Sequence, residues 1–315
     1  MENIIEIRNL SLFFDKYQAL FDVNLNIEKG SLHALVGESG CGKTITAMSI
    51  IQLLPKAAKI TNGEILYNGM DLMKYTGKQM RSLRGNKIAL IPQDPMTSLN
   101  PLYTIGNQLI ESIKVHSKVS QHQALRKAKE VMNLVKIPDV ENKLKFYPHE
   151  FSGGMKQRII IAMALATSAE LIIADEPTTA LDVTIQKQIM DLLDEIKKEY
   201  QTTILLISHD LALVSNYADY ISVMYSGHIV EEAPAKEFFT NPIHPYSLAL
   251  LNSLPTTNPL LKLKTIEGAP PSIKEKIDGC RFNPRCDFYK KGFCETKSPV
   301  LTNRSECHSV ACFIK

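Results

Sequence analysis

Apolar and polar residues alternate near the N-terminus, with Ile5 and Ile7, then Leu25 and Ile27, falling on one face. A period of two predicts strands of an antiparallel sheet. The run Leu32 to Val36 is short and apolar and meets Gly-rich sequence at once, which predicts a buried strand entering a tight turn. From Thr44 the pattern is helical, with Ala47, Ile50, Ile51 and Leu54 on one face, ending at Pro55. Gly63 to Asn68 and Ile88 to Ile91 read as further strands. Residues 100 to 169 are mostly helical in pattern. Within them Ser120 and Gln123 form a capping box ahead of a stripe of Ala124, Ala128, Val131, Met132 and Val135. Leu171 to Ala174 and Thr203 to Ile207 suit buried parallel strands, joined by a charged helix over 185–200 in a βαβ unit. After about residue 235, Pro234, Pro242, Pro245, Pro255, Pro259, Pro270 and Pro271 interrupt any long element, and a domain boundary is expected there.

Composition adds limits. The chain has 315 residues, 44% hydrophobic and 22% charged, as in an ordinary globular protein. A net charge of +3 is too small to point to nucleic acid, so no nucleic-acid partner is expected. The longest apolar run, Ile159 to Ala166, falls well short of the roughly 18 residues a membrane span needs. The N-terminus lacks a basic stretch followed by an apolar one, so the protein is expected to stay in the cytoplasm. Cys41 stands alone, whereas Cys280, Cys286, Cys294, Cys307 and Cys312 crowd the last stretch. In a reducing compartment such a cluster reads as metal-binding before it reads as disulfides.

The strongest chemical signal is Gly37, Glu38, Ser39, Gly40, Cys41, Gly42, Lys43 and Thr44, which match the phosphate loop G-x-x-x-x-G-K-S/T. Glycines let the backbone curl so that its N–H groups face phosphate oxygens, and the following helix adds its positive end. Lys43 is expected on the β and γ phosphates and Thr44 on Mg²⁺. The second signal is Leu171 to Glu176, an apolar strand ending in two acids. Asp175 is expected to hold Mg²⁺ and Glu176 to act as the general base on the attacking water.

Phe151 to Arg158, with Ser152, Gly153 and Gly154 at its heart, resembles the signature motif of ATP-binding-cassette proteins. Phe and Met stand where its commonest form has Leu and Gln. Ser152, Gly153 and Gly154 open a helix that, in the family, meets ATP held by the opposite subunit. Further elements fall in order. Gln93 resembles the glutamine that contacts Mg²⁺, senses the γ-phosphate and faces the membrane subunit. Ala180 to Asp182 resembles the loop running across the dimer interface. His209 resembles the switch histidine. Phe14, with Tyr17 as the alternative, lies where the family stacks an aromatic on adenine. The resemblance covers residues 1–235 and implies a RecA-like α/β core, an antiparallel β subdomain and an inserted helical subdomain at about 97–168. It also implies that two such domains sandwich ATP.

Three stretches resemble the ATPase subunits of oligopeptide, dipeptide and nickel importers: Gln93 to Pro101, the run from Glu150 through Asp182, and Asn241 to Ser247. The last resembles the His-Pro-Tyr segment that opens that subfamily's C-terminal extension, here 236–315. Cys280, Cys286, Cys294 and Cys312 resemble its four-cysteine pattern, which implies a [4Fe–4S] cluster; zinc is the alternative, and Cys307 and His308 compete as ligands. The implied partners are a second, paralogous ATPase, two membrane-spanning permeases and an extracytoplasmic solute-binding protein, with this chain peripheral on the cytoplasmic face of the membrane. The rival readings are a nickel or other small-solute importer, an exporter motor, a regulator without turnover, and a soluble cassette acting on DNA or ribosomes. Against the last stand the absence of a basic stripe, a long coiled-coil insertion and a second cassette.

Overall fold

The computed structural model of the chain describes residues 2–179, 181–254, 265–305 and 307–313. It divides into two compact units, Met1–Lys74 with Ile207–Lys315, and Tyr75–Leu206. In chain order the first unit opens with β1 (Asn3–Phe14), β2 (Tyr17–Glu28), β3 (Leu32–Val36), α1 (Lys43–Ile50), β4 (Ala58–Tyr67) and β5 (Met70–Asp71). The second holds α2 (Gly77–Leu83), β6 (Ile88–Ile91), α3 (Pro95–Ser98), α4 (Ile105–His116), α5 (Gln121–Leu134), α6 (Val140–Lys143), α7 (Gly153–Leu165), β7 (Leu171–Asp175) and α8 (Val183–Tyr200). β8 (Thr203–Ser208) returns the chain to the first unit. That unit closes with α9 (Leu211–Val214), β9 (Tyr220–Tyr225), β10 (His228–Pro234), α10 (Ala235–Thr240), α11 (Pro245–Asn252), β11 (Thr302–Ser305) and β12 (His308–Val310).

In the first unit the alternating N-terminal pattern becomes an antiparallel sheet ordered β2-β1-β4-β5. Its register pairs the residues that announced it: Ile5 opposite Ile27 and Ile7 opposite Leu25. On the other edge Ile5 faces Tyr67 and Ile7 faces Ile65. A second run of strands is ordered β11-β12-β10-β9-β3, with β3 parallel to β9 and every residue of β3 buried. The helix expected to reach Pro55 stops at Ile50. Gln52 takes a left-handed backbone, φ 51°, which ends the helical path before the proline can, and Leu54 lies outside it.

The proline-rich C-terminal stretch has no long element, but it is not structureless. β12 pairs antiparallel with β10, placing Val310 opposite Glu231. Phe282 is 2% exposed and packs against Tyr225 and Tyr246, with ring centroids 5.1 and 5.3 Å away. The segment therefore shares the unit's core instead of building its own. A buried polar knot fastens it. The fully buried Glu231 carboxylate accepts the Ile243 and His244 N–H groups at 2.7 and 2.9 Å, and pairs with His308 Nε2 at 2.7 Å. Removing one partner leaves a buried polar group unsatisfied, which typically costs about 1–3 kcal/mol.

In the second unit β6 runs parallel to β7, with β8 beside β7 in strand order. The capping box at α5 forms as the spacing predicts: Ser120 N–H donates to Gln123 Oε1 at 2.8 Å and Gln123 N–H to Ser120 Oγ at 3.3 Å. The stripe that follows is 0–3% exposed. Among the described residues no helix is long and apolar enough to cross a membrane.

Candidate nucleotide site and thiol cavity

In the first unit β3 delivers the chain into the loop at Gly37 and α1 receives it at Lys43. The turn needs glycine. Gly37 has φ 149° and an added Cβ would sit 2.2 Å from the Met224 carbonyl oxygen; Gly42 has φ 113° and its Cβ would sit 2.9 Å from Leu20. Ser39, Gly40 and Thr44 are exposed at the mouth of the loop, whereas Cys41 and Lys43 are buried at 3% and 4% exposure. Lys43 Nζ donates to the Gly37 and Glu38 carbonyls at 2.8 and 3.0 Å. Burial pushes the Cys41 thiol pKa up, so it is a neutral filler whose place in the site is its backbone.

Other predicted residues of this unit lie at element ends. His209 is exposed after β8, where the Asp210 N–H donates to Ser208 Oγ and the Asp210 carboxylate caps α9 through Leu213 N–H at 2.9 Å. Phe14 and Tyr17 face each other across the β1–β2 turn, both half-buried, with Lys16 and Lys274 ammonium groups 5.3 and 5.9 Å from the Tyr17 ring.

In the second unit Asp175 closes β7, 3% exposed. Glu176, next in the chain, takes the left-handed region at φ 46°, which few non-glycine residues adopt without a structural demand. Its Oε2 accepts Gln93 Nε2 and Thr179 Oγ1, each at 3.0 Å. The structure thus brings Gln93 and Glu176 together. Ser152 caps α7 by accepting the Met155 N–H, leaving Gly153 and Gly154 in the first turn, where helix N–H groups lack helical partners. Asp182 caps α8 through Ile185 N–H at 3.0 Å. Ala180, between Thr179 and Leu181, lies outside the described residues.

Cys280, Cys286, Cys294 and Cys312 line one cavity with His244 and Phe282. Burial raises the Cys280 and Cys286 thiols to about 11. Four thiols suit a soft metal or an iron–sulfur cluster as a donor set. Among the described residues, however, no three His, Cys, Asp or Glu side chains are drawn into metal-holding geometry. The expected competitors point elsewhere. Cys307 is exposed, and both ring nitrogens of His308 are engaged, Nε2 by Glu231 and Nδ1 by Glu237 at 3.2 Å.

Two residues that touch the loop carry no role in the sequence reading. Tyr246 Oη accepts the Glu38 N–H at 2.9 Å, and Arg285 makes paired bonds of 2.8 and 3.0 Å to the Glu38 carboxylate. Tyr246 lies inside the quoted His-Pro-Tyr segment, but nothing local in the sequence ties Arg285 to residue 38.

Comparison with known proteins bears on both halves of this picture. Residues 20–179 match the ABC transporter family and residues 230–294 the oligopeptide/dipeptide transporter C-terminal region. A dipeptide transport ATP-binding protein of Bacillus subtilis is 44% identical over 100% of this chain and 96% of its own length. An oligopeptide transport ATP-binding protein of the same organism is 43% identical over 95% of this chain and 85% of its own. Among solved structures, a dimeric ATP-binding cassette in a post-hydrolysis state with ADP and phosphate superposes with TM-score 0.66 and 26% identity, covering 73% of this chain and 98% of that one.

Proposed function

The chain belongs to the ABC transporter family, and on that premise we propose that it is an ATP-hydrolysing motor subunit of an importer for oligopeptides or dipeptides. The observation that carries this reading is the extent of the similarity, which continues past the phosphate loop into the C-terminal region at 230–294. An exporter motor or a soluble cassette has no need of that region.

In this reading the loop from Gly37 to Thr44 takes the phosphates of ATP. The Lys43 ammonium already satisfies two carbonyls, and a phosphate oxygen competes for the same hydrogens with a full negative charge, which makes a stronger bond. The exposed Thr44 hydroxyl serves Mg²⁺, with Asp175 and Gln93 as its further ligands. Glu176 orients and deprotonates water, and its bonds to Gln93 and Thr179 fix the carboxylate for that task. His209 attends the γ-phosphate, and Phe14, or Tyr17, stacks on adenine. Ser152, Gly153, Gly154 and Asp182 serve the nucleotide of a second, paralogous ATPase. Two permeases and an extracytoplasmic binding protein complete the assembly, on whose cytoplasmic face this chain sits. ATP biases the pair toward closure because the added contacts exist only in the closed dimer.

The thiol cavity fits a metal by its donor set. In this reading Cys280, Cys286, Cys294 and Cys312 hold a [4Fe–4S] cluster, with zinc as the alternative. The group supplies structural fastening to a segment rich in proline. Loading it must expel protons from the Cys280 and Cys286 thiols, which burial keeps neutral.

The test is to purify the tagged chain from its own cells in mild detergent without air. Two membrane proteins and a second ATPase in the eluate, with peptide uptake that requires ATP, support the importer; soluble partners alone overturn it. Iron with acid-labile sulfide in the same sample supports the cluster. Zinc in its place supports the alternative, and neither metal removes the metal site from the reading.

A further inference from the structure

Glu38 is held at every polar group it has. Its carbonyl accepts Lys43 Nζ at 3.0 Å and the Cys41 N–H at 3.3 Å, so this one oxygen seats the phosphate-binding lysine and closes the turn. Its N–H goes to the Tyr246 hydroxyl, and its carboxylate to the Arg285 fork. Both outside partners come from the C-terminal segment, 208 and 247 positions away in the chain.

Neither partner is a loose surface contact. Tyr246 is fully buried, edge-on to Tyr225 at 4.6 Å, and burial pushes its phenol pKa up, so it stays a neutral hydroxyl. The Arg285 side chain is 6% exposed and its other bonds go to the Glu267 and Gly268 carbonyls and the Tyr225 hydroxyl. Burial opposes the Arg285 charge, but hydrogen bonds to Glu38 and Tyr225 outweigh it. A planar guanidinium in a paired bond to a carboxylate fixes direction as well as distance. Glu38 itself keeps a quarter of its side chain in solvent, 25%. Its fixation therefore does not follow from core packing; it follows from these two side chains.

We propose that Tyr246 and Arg285 are positioning residues of the nucleotide site: by gripping Glu38 they hold the carbonyl that seats Lys43, and so let the C-terminal segment set the loop's affinity for ATP. Without the grip the loop samples more conformations, and binding then bears the cost of ordering it. The proposal rests on the reading of the loop at 37–44 as the ATP site.

The experiment measures MgATP affinity calorimetrically on the full chain, well below its melting temperature, with the melting temperature recorded beside it. Arg285→Gln and Tyr246→Phe are each expected to weaken ATP binding about 3- to 10-fold, the loss of one to two ordinary hydrogen bonds. Arg285→Lys, which keeps the charge without the fork, is expected to recover part of that loss. Glu38→Gln combined with Arg285→Gln is expected to be little worse than Arg285→Gln alone, because both cut one contact. Affinities within a factor of two of wild type in both single variants, whatever their melting temperatures, overturn the proposal. Should Arg285→Gln not fold, Tyr246→Phe decides alone, since it removes one oxygen and no volume from the core. A wild-type chain that binds no ATP sinks the underlying reading of the loop; binding by wild type with unchanged variants sinks only the positioning role.

Discussion

The phosphate loop and the thiol cavity occupy the same compact unit and are built in opposite ways. The loop is contiguous, residues 37 to 44, and its turn is written mostly in backbone, with glycines at φ 149° and 113°, a buried strand before and a helix after, while Tyr246 and Arg285 hold it at Glu38. The cavity gathers cysteines spread from 280 to 312, and what holds them is a set of bonds between distant peptides. Cys280 N–H donates to the Cys294 carbonyl at 2.8 Å, and Asn283 Nδ2 reaches the same oxygen at 3.2 Å. A site made of backbone stands ready before its ligand arrives. The thiols share a cavity without standing in metal-holding geometry among the described residues, so on the proposed reading a metal would have to draw them together. Substitutions should therefore separate the two regions.

The largest separation is expected from Glu176→Gln. It removes the proposed base and leaves residues 37–44 unchanged, so steady-state ATP hydrolysis should fall about 10²- to 10⁴-fold while ATP affinity stays within a few-fold of wild type. Turnover near wild type would show that another group activates water. Gly37→Ala comes next and acts on binding. Its Cβ would lie 2.2 Å from the Met224 carbonyl oxygen, an overlap that only backbone movement relieves. ATP affinity should drop about 10- to 100-fold, the range that overpacking costs. A loop that keeps its affinity would mean that its shape is less fixed than the comparison holds.

Cys286→Ser probes the other region. On the proposed metal reading it should lower metal content, and it should bring the melting temperature down by about 2–3 °C, the effect of losing roughly 1–2 kcal/mol in a chain of this size. The rate constant for hydrolysis should survive, because the thiol takes no part in the chemistry. Undiminished melting temperature in that variant would remove the fastening role from the cavity.

The same contrast explains what the sequence could disclose. Ile5 and Ile7, then Leu25 and Ile27, announced antiparallel strands because alternation is a local signal; which residue faces which is given by the fold. Ser120 and Gln123 announced their capping box for the same reason. The turn at 37–44 was legible because glycines at that spacing are a local signal, and the fold places Gly37 and Gly42 at positive φ. By contrast, β11 and β12 went unread: Thr302 to Ser305 is exposed throughout and has no buried face, and β12 covers three residues, too few for its alternation to register. The helix end at Ile50 was missed because Pro55 offered a louder stop signal than the left-handed Gln52. The Glu38 contacts had no signal at all. A bond across 247 positions is a property of the folded chain, and neither end of it is unusual in its own neighbourhood.

The smallest expected effect is on acid stability, and it compares the two regions directly. Burial lowers His33 to about 4, His228 to about 4 and His244 to about 3. His33 lies in β3, the strand that feeds the loop, and His244 lines the thiol cavity. A histidine depressed in the folded state is neutral there but takes a proton once unfolded, so unfolding gains protons as pH falls below about 6.5, and stability falls with it. Glu232 works the other way. Burial raises it to about 7, so its contribution is present at low pH and is lost as pH rises from the usual carboxylate range through 7. Three histidines outnumber one glutamate, and the melting temperature should decline from pH 6.5 toward 4.5. His33→Gln is the cleaner arm, because His244 lines the thiol cavity and its replacement would also disturb the cysteines there. Its ring nitrogen Nε2 has one polar neighbour, Ser222 Oγ at 2.8 Å, which a glutamine amide can also reach. The variant should flatten the pH slope by nearly one proton at an unchanged midpoint near neutrality. An unaltered slope would mean that His33 is reached by solvent before the chain unfolds, and that the strand feeding the loop opens more easily than its complete burial implies.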